Sequence, residues 1–189
     1  MVNANFFYEL GVLKRVKRSG WWIINVKDPE SVADHSFRAG VIAYILARME
    51  NLSIERAHYV SFMTLCNDLH ETRLNDLHKI GHRYIDFRAA ETVAHKEQTE
   101  PLGTTGKEIY VLHEELKVQK TKESIIARDA DLLECFAQAR EYQKNGHDAQ
   151  DWMTNIHKLL VTGSAKKLAK ELEKTDPNDW WQGLKKSER

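Results

Sequence analysis

Apolar residues recur along this chain at intervals of three and four, and no segment alternates apolar with polar over the length of a strand, so the pattern predicts helices throughout. Phe6, Leu10 and Leu13 make one apolar face, closed by a basic, glycine-containing bend, KRVKRSGWW. Pro29 then precedes Ser31, whose hydroxyl can cap the next helix, with Asp34 as an acidic capping-box partner; the helix is expected over Val32–Met49. Ser53 opens a third helix, on which Ala57, Ser61, Thr64 and Asp68 share one side. Helical spacing is expected again from Tyr84 to Gln98, and the Gly103–Gly106 pair reads as a loop. It resumes over Lys107–Val118 and over Lys122–Lys144, with Gly146 placed to stop the latter. Gln150–Leu160 and Ser164–Lys174 form a last pair, and Trp180 and Trp181 in the tail are expected to pack back on the body.

The expectation is an all-α bundle in a single domain over residues 1–189, with its core at about 6–174. Hydrophobic residues at 42% and charged residues at 30% of 189 leave ample material for a core and give disorder no compositional support. Lys+Arg and Asp+Glu both number 28, so no electrostatic footprint points to nucleic acid or to a membrane surface. The opening MVNANFFYELGVLKRVKRSG places its bases after the apolar stretch, and no window approaches ~18 uninterrupted apolar residues; neither secretion nor membrane spanning is expected. Cys66 and Cys135 are too few for a disulfide framework and lack a CxxC zinc signature, which fits a reducing, cytoplasmic setting.

Chemistry enters through polar residues on inward faces. His35 lies on the stripe continued by Ala39, Ile42, Leu46 and Met49, so its imidazole points into the bundle, as a metal ligand or as a buried histidine satisfied by a neighbour. Asn67, Asp68 and Glu71, read as the end of the third helix, can converge on one point. Two such close carboxylates repel unless a cation, a proton or basic groups intervene. Asp131 shares a half-polar stripe with Ala127, Cys135, Gln138 and Tyr142 on the long helix. One histidine and two aspartates from three helices suit a divalent cation, and separate salt bridges are the alternative. His78 and His82 offer an i, i+4 pair that is either a second metal site or a solvated turn, and Arg38 and Arg128 read as helix-flank charges.

Three blocks, LKRVKRSGWWIINVKDPESVADHSFRAGVIAYIL, NDLHETRLNDLHKIGHRYID and ARDADLLECFAQAREYQ, resemble in order and separation those of the HD-domain phosphohydrolases, in the small branch that contains the bacterial 5'-deoxynucleotidases. The resemblance implies a helical bundle that holds a divalent ion through a first His, a His-Asp doublet and a distant Asp, and that hydrolyses phosphomonoesters. Carried over, the metal ligands are His35, Asp68 and Asp131, with Asn67 where the doublet's histidine would stand; His70 is a remote substitute for it. The ion is one of Mn, Co, Mg or Zn, and an amide oxygen in place of imidazole favours the harder of these. Glu71 would orient or deprotonate the attacking water, or protonate the leaving alkoxide, unless it is a surface partner of Arg73 or Lys79. Asp76 would close the substrate side, or serve as a cap or turn residue. Arg18 suits phosphate oxygens and Trp21 a base or pocket wall, with a solvated loop and a core-sealing tryptophan as the alternatives; Lys79 is a lesser substrate-binding candidate. The implied substrate is a small nucleoside 5'-monophosphate, the implied assembly a homodimer, and the alternative function a nucleotide-binding protein whose turnover Asn67 has impaired.

Overall fold

The computed structural model describes residues 4–184, so the outermost residues of the expected domain, 1–3 and 185–189, lie outside the described residues. Among the described residues there is no strand, only an isolated antiparallel bridge between Lys17 and Ser31. In chain order the α-helices are α1 (Ala4–Leu10), α2 (Val32–Met49), α3 (Ile54–Leu65), α4 (Glu71–Leu74), α5 (Phe87–Thr99), α6 (Thr104–Val118), α7 (Lys122–Lys144), α8 (Gln150–Leu159) and α9 (Gly163–Lys174).

α7 is the spine, packed against α2, α3, α6, α8 and α9. Its buried residues run around the helix, Ile126, Ala130, Leu133 and Phe136 among them, as a helix surrounded by others requires. Small residues let the neighbours approach. Gly40 of α2 has its carbonyl bonded by the Ser61 hydroxyl at 2.8 Å, and a Cβ there would lie 2.6 Å from Leu65 Cγ, so α2 and α3 are locked close together. Asp129, buried on α7, accepts from the Val161 and Thr162 amides at 3.0 and 2.7 Å and from the Thr162 hydroxyl at 2.7 Å, fastening the α8–α9 corner to the spine.

α2 begins where expected, on a capping box: Ser31 Oγ accepts from the Asp34 amide and Asp34 Oδ2 from the Ser31 amide. The bend before it is tied down by the Arg18 amide to the Glu30 carbonyl at 3.1 Å and the Val32 amide to the Val16 carbonyl at 2.9 Å. A second cluster of Phe6, Leu13, Val16, Val32, Cys66, Leu69 and Ile109 seats this N-terminal segment.

Four expectations need correction. α3 stops at Leu65, and the chain tightens through i to i+3 bonds, Asn67 to Thr64 and Glu71 to Asp68, so Asn67 and Asp68 lie in a turn and Glu71 opens α4. α5 starts at Phe87 rather than Tyr84, because Asp86 Oδ1 caps the Ala89 amide. The loop at 103–106 shrinks to Gly103, whose φ of 64° turns the chain. Gly106 is instead a buried residue of α6, where a Cβ would stand 1.8 Å from the Thr99 carbonyl oxygen. In the tail, Trp181 is half-buried but Trp180 stays 77% exposed, so only one of the pair packs back as expected.

Candidate metal centre

α2, the 66–70 turn and α7 each contribute one side chain to a buried cluster. His35 stands one turn into α2, and its Nε2 lies 3.0 Å from Asp131 Oδ1 on α7 and 3.7 Å from Asp68 Oδ2 in the turn. One ligand atom from each lies within 4.8 Å of the other two. Nδ1 of the same ring bonds to Glu134, one turn beyond Asp131, which aims Nε2 at the aspartates; a carboxylate behind a ligating imidazole is the usual way to fix its tautomer and raise its basicity. Glu134 is fully buried and is held in turn by Arg38 Nε at 2.8 Å and Nη2 at 2.7 Å. Arg38 also reaches Gln138 and Glu141, so it is the clamp of an acidic stripe on α7 and not the helix-flank charge expected of it. Arg128 is likewise engaged, bonding Asp131 Oδ2 at 2.7 Å.

Asn67 lies at the edge of the cluster, its Nδ2 donating to Asp68 Oδ1 at 2.7 Å. Glu71 is buried, and its Oε2 has no hydrogen-bond partner. Arg73 pairs with Glu9 and Glu97 instead, which removes it as a surface partner for Glu71. Arg18 enters from the bend: Nη2 donates to Cys135 Sγ at 3.1 Å, and Nη1 lies 3.6 Å from Asp76 and 3.8 Å from Asp68. Asp76 Oδ2 accepts the Ser19 amide at 2.5 Å, joining the segment after α4 to the bend.

Two of the candidate substrate-binding residues sit apart from this cluster. Trp21 is 2% exposed, packed on Trp152 and edge-on to Tyr142, with its indole N–H given to Glu30; it seals the core and offers no face to a base. Lys79 is exposed on the turn after Asp76. His78 and His82 bond the local backbone at Gly81 and Leu77 and form a turn rather than a shared site.

Electrostatics describe a place short of positive charge. Burial and the neighbouring Asp68 push the Glu71 carboxyl well above its ordinary range, only partly offset by Arg18. Burial also raises Asp68, against His35 and Arg18. For Asp131, burial works the same way, but Arg128 and His35 outweigh it and hold the carboxyl below its usual value. Glu30, beside Trp21, is pushed up to about 7 by burial and by Glu134. A cation among these groups would supply the missing charge, and the orphaned Oε2 of Glu71 faces the same shortage. The donor set, one imidazole and two carboxylates beside an amide, fits a divalent metal ion.

Sequence reasoning missed Glu134 and Glu30. Glu134 was within reach, because Asp131 and Glu134 are i and i+3 on a helix whose Gln138 and Glu141 continue the face toward Arg38. Glu30 carried no such signal, since it lies outside any helix.

A family model described as an HD domain matches residues 10–175. The chain belongs to the HD-domain family. Among relatives of this HD domain, the protein named 5'-deoxynucleotidase HDDC2 from Dictyostelium discoideum is 34% identical over 155 residues, covering 77% of this chain and 80% of that one. Its namesake from Homo sapiens is 32% identical over 144 residues, covering 75% and 69%. A solved structure, a conserved hypothetical protein from Pyrococcus furiosus, superposes with a TM-score of 0.75 at 26% identity, covering 92% of this chain and 100% of that chain.

Proposed function

We propose that this HD domain hydrolyses nucleoside 5'-monophosphates, deoxyribonucleotides by preference, with a divalent metal ion held by His35, Asp68 and Asp131. The observation that carries the reading is the orphaned Glu71 carboxylate beside that His/Asp cluster and Arg18. The relatives named 5'-deoxynucleotidase point to the substrate class. The oxygen-rich donor set favours Mn or Mg over Zn.

When bound, such an ion neutralises phosphate oxygens and lowers the pKa of a coordinated water. Glu134 holds His35 in the tautomer that leaves Nε2 free, and Arg38 holds Glu134. Arg18, steadied by Cys135 and Asp76, presents N–H donors to the phosphate oxygens. Water adds to phosphorus as the P–O bond to the sugar 5' oxygen breaks. Glu71 Oε2, free of other partners, takes the proton of that water and returns it to the departing 5' oxygen, which leaves as the alcohol. Asp76 holds the bend against the site through the Ser19 amide.

A second reading, a nucleotide-binding domain with impaired turnover, is favoured by Asn67, whose amide nitrogen is turned to Asp68. Phosphate release measured across deoxyribo- and ribonucleoside monophosphates with Mn2+, Mg2+, Co2+ and Zn2+, for the chain and for Asn67→His, separates the two. Turnover of a deoxyribonucleotide by the unaltered chain supports the first reading. Metal binding and turnover gained together only by N67H support the second, and inertness of both proteins on every nucleotide overturns the substrate class.

A homodimer is also part of the proposal, formed on the outward stripe of Phe37, Val41 and Ile45 on α2 with Phe62 and Leu65 on α3, all exposed. Equilibrium sedimentation of the chain and of Phe37→Lys tests it. The free thiols of Cys66 and Cys135 support a cytoplasmic location.

A further inference from the structure

Behind the 66–70 turn, three histidines meet in the interior. His70 comes from the turn, His95 from α5 and His113 from α6, and they are 4%, 0% and 6% exposed. One ring nitrogen of each lies within 4.8 Å of the other two. His95 and His113 are stacked at 4.1 Å between ring centres, and His70 stands 6.1 and 6.0 Å from them. His95 Nε2 lies 3.2 Å from the Cys66 carbonyl oxygen; donating its N–H there leaves the lone pair on Nδ1. Nδ1 of His70, Nδ1 of His95 and Nε2 of His113 are buried, and none has a hydrogen-bond partner. Buried ring nitrogens are normally satisfied, and unsatisfied ones on three rings that meet from three elements mark a place where bonds remain to be made. Burial keeps the rings at His95 and His113 uncharged at neutral pH, His113 being pushed down to about 3. Negative charge is at hand: Glu91 Oε1 lies 3.6 Å from His70 Nε2, and Glu114 on α6 has a buried, unpartnered Oε1 and acts electrostatically on His95.

From this convergence we infer that His70, His95 and His113 form a second cation site, distinct from the His35 cluster and suited to a borderline transition ion such as Zn2+. Three neutral imidazoles are a nitrogen-only set, whereas the His35 cluster is oxygen-rich, so the two places select different ions. In a tetrahedral site with Zn–N of about 2.0–2.1 Å the ligand atoms stand roughly 3.3 Å apart, so binding requires the stacked His95 and His113 rings to turn until their lone pairs converge. Because His70 follows Asp68 by two residues, an ion here ties the turn that carries Asp68 to α5 and α6. The site's existence does not depend on the proposed substrate.

The test is Co2+ and Zn2+ titration of the metal-stripped full chain carrying His35→Ala, which disables the other cluster, read by metal stoichiometry and by the visible d–d absorption of Co2+. One ion per chain is expected, with tetrahedral Co2+ bands. Adding His113→Gln is expected to lower affinity by at least on the order of 100-fold and to abolish the bands. If the H35A chain binds no ion, the three rings are a packing cluster and the proposal fails. If it binds equally well with and without H113Q, in a chain still folded by circular dichroism, the ion sits elsewhere, as on His78 and His82, and the proposal fails again. Should H113Q not fold, the same titration of H35A carrying His95→Gln decides, together with the H35A stoichiometry and spectrum.

Discussion

Replacing Glu134 by glutamine removes one negative charge and almost no volume. The wild-type carboxylate, fully buried, accepts from His35 Nδ1 and from two nitrogens of Arg38 at 2.8 and 2.7 Å. A carboxamide has one acceptor oxygen for those donors, and its NH2 group must face one of them. Arg38 keeps Glu141 and Gln138, so the loss falls mainly on His35. Hydrogen bonds to charged groups contribute roughly 1.5–3 kcal/mol each, which puts E134Q about 3 kcal/mol below wild type in stability. At ~2–4 °C per kcal/mol for a chain of this size, Tm falls by roughly 6–12 °C. The metal loses as well, because a carboxylate behind a ligating histidine contributes about 10–100-fold in affinity, or roughly 1.4–2.7 kcal/mol. Scanning calorimetry gives the first quantity and Mn2+ titration calorimetry the second, with Glu141→Gln, on the more exposed side of Arg38, as a control expected to move neither by much. Mn2+ affinity within twofold of wild type, alongside a lowered Tm, would refute the claim that Glu134 tunes the metal ligand. An unchanged Tm would refute the electrostatic argument altogether.

Other changes probe the scaffold. Asp129→Ala leaves the Val161 and Thr162 amides without their buried acceptor and is expected to cost about 3 kcal/mol, read from urea unfolding. Gly106→Ala drives a methyl into the Thr99 carbonyl and is expected to abolish cooperative melting, whereas Gly11→Ala, where nothing lies within 4 Å of the added carbon, is expected to be nearly neutral. Glu9, hydrogen-bonded by Arg73, Gln98 and Thr72, has its pKa lowered from 4.5, so it binds its proton less readily folded than unfolded. Its contribution to stability is present above pH 4.5 and disappears as pH falls through the folded value; Glu9→Gln is expected to flatten the stability curve below pH 4.5, as followed by melting at successive pH values.

What could be read from the residues was whatever repeats locally. α2 and α7 announced themselves through periodicity and caps; His35 stood out as a lone imidazole on an apolar stripe and Asp68 and Asp131 as acids on half-polar ones, and the resemblance to the HD-domain phosphohydrolases joined the three. The turn at 66–70 was hidden because Asn67, Asp68 and Glu71 keep helical spacing even where the backbone tightens. Trp21 and Trp22 are adjacent and chemically alike, and only packing against Trp152 and Tyr142 decides that Trp21 is the interior one. The three histidines behind the turn share no period, since they are brought together by the α5–α6 hairpin rather than by any one helix.

The bridge between Lys17 and Ser31 has a mechanical consequence. It splices the Arg18 bend onto the cap that starts the His35 helix, so the guanidinium and the imidazole are carried by one hydrogen-bonded piece of backbone. The stretch from Leu77 to Asp86, by contrast, is held by short-range bonds such as Gly81 to His78 and Tyr84 to Gly81, and its side chains are mostly exposed. Amide exchange is therefore expected to be faster over residues 77–86 than along the bend.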